Sequence, residues 1–197
     1  IFGMDKNGRA ITKVMMVSDK RSSKEADILE EVLKTKHEES SLRCPASSIV
    51  SKALWYKNNK PETFDKVTYW LGAGEFLNYY FTNEVFTDPL NASKGLYENG
   101  AYLKDMIKGM GLDIDSMPEV KEMGYELKIT NKVRKSYNFA NNCRYVLTTY
   151  DAICAVIGSF DGEPKTACDV SGTVTSVRVL ADQGLEDAKG PVLSQQL

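Results

Sequence analysis

Short β-branched runs alternate with amphipathic helical stretches along this 197-residue chain, and turn residues separate them. Such alternation restricts a chain to α/β architectures, in which helices cover the faces of a sheet. Asp5-Lys6-Asn7-Gly8 supplies turn residues that tolerate positive φ, so the chain is expected to open as a hairpin. Ala10 to Val17 is apolar and β-branched enough for a buried strand. Ser22 with Glu25 three residues later has the spacing of a capping box. Ala26, Leu29 and Leu33 repeat at helical spacing behind it, and this helix should run to about Lys36. Pro45 precedes a second helix with Ile49, Val50, Ala53, Leu54 and Lys57 on one side, ended by Asn58-Asn59-Lys60-Pro61.

The alternation continues. Thr68 to Leu71 reads as a strand, Gly72-Ala73-Gly74 as a break, and Glu75 to Phe81 as a short aromatic helix. Val85 to Thr87 reads as a strand and Pro89 to Lys94 as a helical turn. Tyr102 to Met110 forms an amphipathic helix stopped by Gly111. Tyr125 to Val133 alternates in places, as an edge strand does, and Arg144 to Thr149 is a second β run. Asp151 to Ile157 is small and apolar, the pattern of a buried helix, and Asp161-Gly162 is a turn. Ala167 to Val170 and Thr175 to Leu180 read as strands joined through Ser171-Gly172-Thr173. The tail from Asp182 lacks periodicity.

Charge and residue usage exclude several classes of function. The 25 basic and 27 acidic side chains leave a net charge of −2, too weak a field to attract a polyanion, so nucleic acid is not an expected partner. Lys128, Lys132, Arg134 and Lys135 are the one basic cluster and read as a solvated edge. The four cysteines, at 44, 143, 154 and 168, form neither a metal knuckle nor a C-x-x-C pair. They suit a reducing cytoplasm. No apolar run approaches the length of a membrane span, and no membrane partner is expected. His37 is the only histidine and sits among Lys36, Glu38 and Glu39, which argues against a Ser-His-Asp machine or a zinc site. Neither phosphate-binding glycine motif, G-x-x-x-x-G-K-[ST] or G-x-G-x-x-G, is present. Asp113-Ile114-Asp115 matches a calcium loop only in part and reads better as a helix cap, so no metal ligand is assigned.

Four stretches, in order, resemble the first domain of the FGGY carbohydrate kinases. Met4-Asp5-Lys6-Asn7-Gly8 with Val17-Ser18-Asp19-Lys20-Arg21 is similar to the family's hairpin and W-x-D-x-R strand end, with Val17 in place of tryptophan. Lys52, Trp55, Asn58 and Asn59 match its K-x-x-W-x-x-polar-polar helix. Phe81-Thr82-Asn83-Glu84 with Thr87-Asp88-Pro89-Leu90-Asn91-Ala92-Ser93 resembles its L-T-G-x-x-x-T-D-x-x-x-A-S segment, with Asn83 where glycine is usual. Pro118-Glu119-Val120 follows as its L-P-E-[IV] does. Thr149-Tyr150-Asp151-Ala152, Ile157-Gly158 and Ser171-Gly172-Thr173 look like its G-G-x-D-x-x segment, a following glycine and a phosphate-binding G-T turn. Thr148 and Thr149 stand where the family has glycines.

The resemblance implies an RNase H-like, actin-like ATPase domain that is incomplete, short of its opening strands and phosphate loop. It divides the chain into a kinase N-terminal segment, 1–181, and a tail or linker, 182–197. With Ile1 at the start, the natural protein is expected to be longer. The implied activity is ATP-dependent phosphorylation of a sugar or polyol, of xylulokinase type, with ATP and Mg²⁺ as cofactors. The rival is a non-catalytic homologue that binds a sugar or partner, for which Thr148 and Thr149 speak.

By the same resemblance, Asp151 is the general base for the sugar hydroxyl, a role compatible with its plain reading as a helix N-cap. Ser171, Gly172 and Thr173 would bind phosphate, or form only a tight turn. Asp19, Arg21 and Ser47 would line the sugar cleft; otherwise Asp19 and Arg21 form a surface ion pair and Ser47 caps a helix. Lys52 and Trp55 read as structural, Trp55 for packing and Lys52 for a pairing beneath the cleft, and Asp88 and Asn91 would fix a turn. Strand edges left bare in this segment where strands are missing invite self-association, which leaves a homodimer open.

Overall fold

The structure is a computed structural model that describes residues 1–159, 167–171 and 175–179. It divides into two compact units, Ile1–Leu147 and Thr148–Leu197. The expected boundary at 181/182, the Asp161-Gly162 turn, Gly172 and Thr173 lie outside the described residues.

In the first unit, β1 (Phe2–Met4) leads into the expected turn. Gly8 has φ +76°, and the Asp5 carboxylate accepts from the backbone N–H groups of Asn7 and Arg9, both at 2.9 Å. The return is not the buried strand that Ala10 to Val17 suggested. Ala10 forms a single bridge to Met4, and beyond it no strand forms: the main chain meets the β1 segment only where the Ile11 N–H donates to the Gly3 carbonyl and where Met15 and Ile1 exchange bonds. The hydroxyl of Thr12 takes the bond from the Gly3 N–H, at 2.8 Å, where a ladder would use a carbonyl. Only Met15 of the following residues is buried; Val14, Met16 and Val17 are exposed.

Helix α1 (Ser23–Lys36) buries Ala26, Leu29 and Leu33, as its periodicity requires. The capping box does not form. Ser22 occupies the cap position, but its hydroxyl donates to the Ala46 carbonyl at 2.8 Å. Glu25 instead turns inward to Asn58, at 3.1 Å. Helix α2 (Ile49–Asn59) follows and packs on α1. Pro61 starts the short α3 (Pro61–Phe64), consistent with the freedom of the first helical position from an N–H bond.

Strand β2 (Tyr69–Leu71) pairs antiparallel with β1, Gly3 opposite Trp70. The glycine break proves to be the start of α4 (Ala73–Thr82), whose cap is Gly72. Asn83 closes that helix at φ 65°, in the left-handed region where asparagine is the usual substitute for glycine. Strand β3 (Phe86–Thr87) and α5 (Pro89–Ser93) come next. A small hairpin, β4 (Tyr97–Glu98) with β5 (Ala101–Tyr102), precedes α6 (Lys104–Gly109). Gly111 at φ +67° ends that run, and a 3-10 turn at Ile114–Ser116 is capped by Asp113. Strand β6 (Glu119–Val120) then pairs parallel with β3.

Strand β7 (Glu126–Lys128) pairs with β8 (Arg144–Val146). The expected strand from Tyr125 to Val133 stops early, because the Thr130 hydroxyl accepts from the Val133 N–H and starts α7 (Asn131–Ser136). The main core gathers Leu29 and Leu33 of α1, Val50, Ala53 and Tyr56 of α2, Trp70 of β2, and Met106 and Ile107 of α6. A second cluster of Phe2, Met4 and Leu71 lies against Phe76 of α4. The two together hold the β1–β2 pair between helices.

In the second unit, α8 (Asp151–Ser159) buries only Ile153 and Val156, and Ile157 is 55 % exposed, so it is amphipathic and not the buried helix expected. Strands β9 (Ala167–Ser171) and β10 (Thr175–Val179) pair antiparallel, Ser171 opposite Thr175. The four cysteines are free thiols, and burial pushes that of Cys44 up to about 12.

Candidate functional site

Asp19 and Arg21 lie on the loop between the opening hairpin and α1. Four hydrogen bonds from three donor groups lock them together. The Arg21 N–H donates to Asp19 Oδ1 at 3.0 Å, Nη2 to Oδ2 at 2.6 Å, and Nε lies 3.0 Å from both oxygens. The guanidinium beside it holds the Asp19 carboxyl down to about 2, so it stays ionised through the physiological range. Arg21 also lies over the Trp55 ring, 4.8 Å from its centroid, a cation–π contact. The pair is more than a loose surface bridge: both partners are oriented, and Arg21 keeps Nη1 free of Asp19.

Helix α2 supplies the floor. Lys52 is fully buried, and its ammonium donates to the carbonyls of Met16, at 2.9 Å, and Asp19, at 3.2 Å. Burial lowers its pKa and the Asp19 charge opposes that. One turn later, Tyr56 donates its hydroxyl to the Lys13 carbonyl at 2.8 Å. The sequence pointed to Lys52 and Trp55 as support; it did not point to Tyr56, whose bond spans 43 residues.

Ser47 sits half-buried in the turn before α2, and the Ser22–Ala46 bond brings that turn against the loop carrying Arg21. Ser47 does not cap the helix. Ser48 does: its hydroxyl accepts from the Ser51 N–H at 3.1 Å and donates to the Ser51 hydroxyl at 2.7 Å. The structure therefore gathers Asp19, Arg21 and Ser47 on one side of the first unit and leaves the Ser47 side chain without a capping duty. Asp88 and Asn91 fix a turn as expected. Asp88 accepts from the N–H groups of Leu90 and Asn91, and the Asn91 amide donates to it at 2.6 Å.

In the second unit, Asp151 is the first residue of α8 and is exposed. It is not the cap. The Tyr150 carbonyl accepts from the N–H groups of Ile153 and Cys154, both at 3.1 Å, and so takes the cap position. The Asp151 carboxylate lies within the first turn, where a helix dipole favours an anion, and accepts from the Ala152 N–H at 2.8 Å. Ser171 ends β9, exposed, with its hydroxyl 3.0 Å from an Asp169 carboxylate oxygen. Among the described residues no group of three or more His, Cys, Asp or Glu is placed to hold a metal ion.

The N-terminal domain of the FGGY family of carbohydrate kinases matches residues 1–158. The chain belongs to that family. Its FGGY domain has the actin-like ATPase fold, and solved structures agree. Gluconate kinase from Lactobacillus acidophilus superimposes with a TM-score of 0.82 at 16 % identity, over 95 % of this chain and 39 % of that one. The ligand-bound xylulose kinase from the same organism gives the same figures, 0.82, 16 %, 95 % and 39 %. Plasmodium falciparum glycerol kinase with ADP gives a TM-score of 0.73 at 18 % identity, over 89 % of this chain and 37 % of that chain. The FGGY chain thus spans about two fifths of the length of these relatives. No curated protein sequence matches it significantly.

Proposed function

We propose that the natural full-length protein transfers the γ-phosphoryl group of ATP to a hydroxyl of a sugar or polyol, in the manner of a xylulose-type kinase. The observation that carries this reading is the extent of the family match. It runs through both residue groups, from the Asp19–Arg21 pair to Asp151. The solved relatives named for gluconate, xylulose and glycerol support a small polyhydroxylated acceptor.

Asp151 acts as the general base. Its carboxylate accepts the proton as the acceptor hydroxyl attacks phosphorus and the bond to the ADP leaving oxygen breaks. Exposure of the carboxylate at the start of α8 supports that role. Asp19 and Arg21 hold sugar hydroxyls as a donor–acceptor pair, and Ser47 adds a hydroxyl. Ser171, Gly172 and Thr173 bind phosphate, glycine permitting close backbone approach. Mg²⁺ bound with ATP would offset phosphate charge, and no described residue is assigned to hold it. Among the described residues no helix is long and apolar enough to cross a membrane. We place the protein in the cytoplasm, with no nucleic-acid or membrane partner.

A second reading rests on Thr148 and Thr149. Side chains there would occupy space near the acceptor sugar that glycines leave open, as a homologue that binds sugar without turning it over would allow. Sugar-dependent ADP release separates the two. The full-length protein, given ATP, Mg²⁺ and D-xylulose, glycerol or gluconate, should release ADP with one acceptor, and residues 1–197 alone should release none. Acceptor binding without ADP release from the full-length protein would favour the binding homologue.

A further inference from the structure

A lysine with no exposed surface is costly to bury, and a fold keeps one where its charge and donors are used. Among the described residues Lys52 forms no ion pair with a carboxylate. Both its acceptors are main-chain carbonyls, those of Met16 and Asp19, on a loop 33 to 36 residues upstream. Two further contacts from the same helix reach the same loop. Trp55 lies beneath the Arg21 guanidinium, and Tyr56 holds the Lys13 carbonyl. Positions 52, 55 and 56 are one turn apart, so a single face of α2 meets the loop at Lys13, Met16, Asp19 and Arg21.

The loop needs that grip. It has left the sheet, Thr12 having taken the Gly3 N–H, and its apolar residues Val14, Met16 and Val17 face solvent. Met15 alone of its side chains enters the core, and the Met15 main chain exchanges bonds with Ile1, at 2.8 and 2.9 Å, which fixes the loop there but not at 16–21. Burial of its own side chains does not explain why it ends with Asp19 and Arg21 in a fixed pair.

We propose that Lys52 is a positioning residue for sugar binding, which shapes the 13–21 loop through the Met16 and Asp19 carbonyls so that the Asp19–Arg21 pair is preset for the acceptor. The proposal rests on the reading of Asp19 and Arg21 as sugar-side residues. Lys52 itself does not touch the sugar. Its action on the substrate passes through the main chain, so it should affect sugar affinity and leave nucleotide affinity alone.

The test uses the full-length protein with Lys52→Met, and with Lys52→Gln, which keeps an N–H donor group without the charge, should the first fail to fold. Hydrogen exchange without ligand should speed by about tenfold or more at residues 13–21 while the α1 amides hold. Titration with D-xylulose, glycerol and gluconate should show the half-saturation of the bound acceptor rising by about tenfold or more, with that of ATP within about twofold. Lys52→Arg, which keeps charge and donors, should fall between variant and wild type. Unchanged loop exchange, or sugar and ATP weakened alike, would overturn the proposal. Faster loop exchange with undiminished sugar affinity would also overturn it. If wild type binds none of the three acceptors, the sugar-kinase reading fails, while the exchange arm still reports whether Lys52 shapes the loop.

Discussion

The Asp19 carboxylate takes both the main-chain N–H and the guanidinium of Arg21, with Nη2 at 2.6 Å, so two residues two positions apart form a closed chelate. The consequence is measurable without any ligand. The Asp19 carboxyl lies at about 2 against an ordinary 3.8, with the Arg21 side chain as the largest cause. A depressed carboxyl contributes stability above its unfolded value, and that contribution is lost as pH falls through about 2. Carboxyl carbon NMR should show Asp19 titrating near 2, and Arg21→Gln should move the midpoint back towards 3.8. A wild-type midpoint near 3.8 would mean that the chelate is not formed in solution.

A second prediction concerns stability. Asn78 of α4 donates to the Phe86 carbonyl and accepts from the Tyr145 hydroxyl, both at 2.7 Å, which ties α4 to β3 and β8. Asn78→Leu leaves both groups without their partner. Unfolding in denaturant should show a loss of about 1–3 kcal/mol, the cost of an orphaned buried polar group. Tyr145→Phe, which leaves the Phe86 bond in place, should cost less.

A third prediction addresses phosphate binding. Ser171 and Thr175 face each other across β9 and β10, and Gly172 follows Ser171. Gly172→Val places a β-branched side chain where phosphate would approach the main chain. Calorimetry on the full-length protein should show ATP weakened more than the acceptor. Equal loss of both would assign Gly172 to folding and not to phosphate.

Much of the helical framework was legible in the sequence because its signals are local. Ala26, Leu29 and Leu33 mark α1, and Asn59-Lys60-Pro61 marks the end of α2. Asn83 looked like a departure from the family, yet φ 65° is a conformation that asparagine tolerates. Errors arose where one side chain diverted the main chain. Thr12 ended a strand that its neighbours' β-branching favoured, and Thr130 began a helix inside an alternating run.

The site was legible in its members and not in its wiring. Asp19 and Arg21 are near neighbours, and the resemblance brought them forward together. Ser47 and Ser48 are indistinguishable by residue type, and only the path of the chain into α2 decides which one caps. The bonds from Lys52 to Met16 and from Tyr56 to Lys13 join segments 36 and 43 residues apart, beyond any local pattern. Asp151 reads as a cap from sequence; the Tyr150 carbonyl takes that position and leaves the carboxylate one residue further in.

The central claim is that Asp151 removes the acceptor's proton, and Asp151→Asn in the full-length protein tests it most directly. Asparagine keeps the shape of the side chain and an oxygen for the Ala152 N–H, so the start of α8 should persist. The measurement is steady-state ADP release with the acceptor that supports turnover, together with acceptor affinity by calorimetry. The account predicts a fall in kcat of about 100- to 10,000-fold, the usual loss for a missing general base, with acceptor affinity within about threefold of wild type. Turnover close to that of wild type would contradict it.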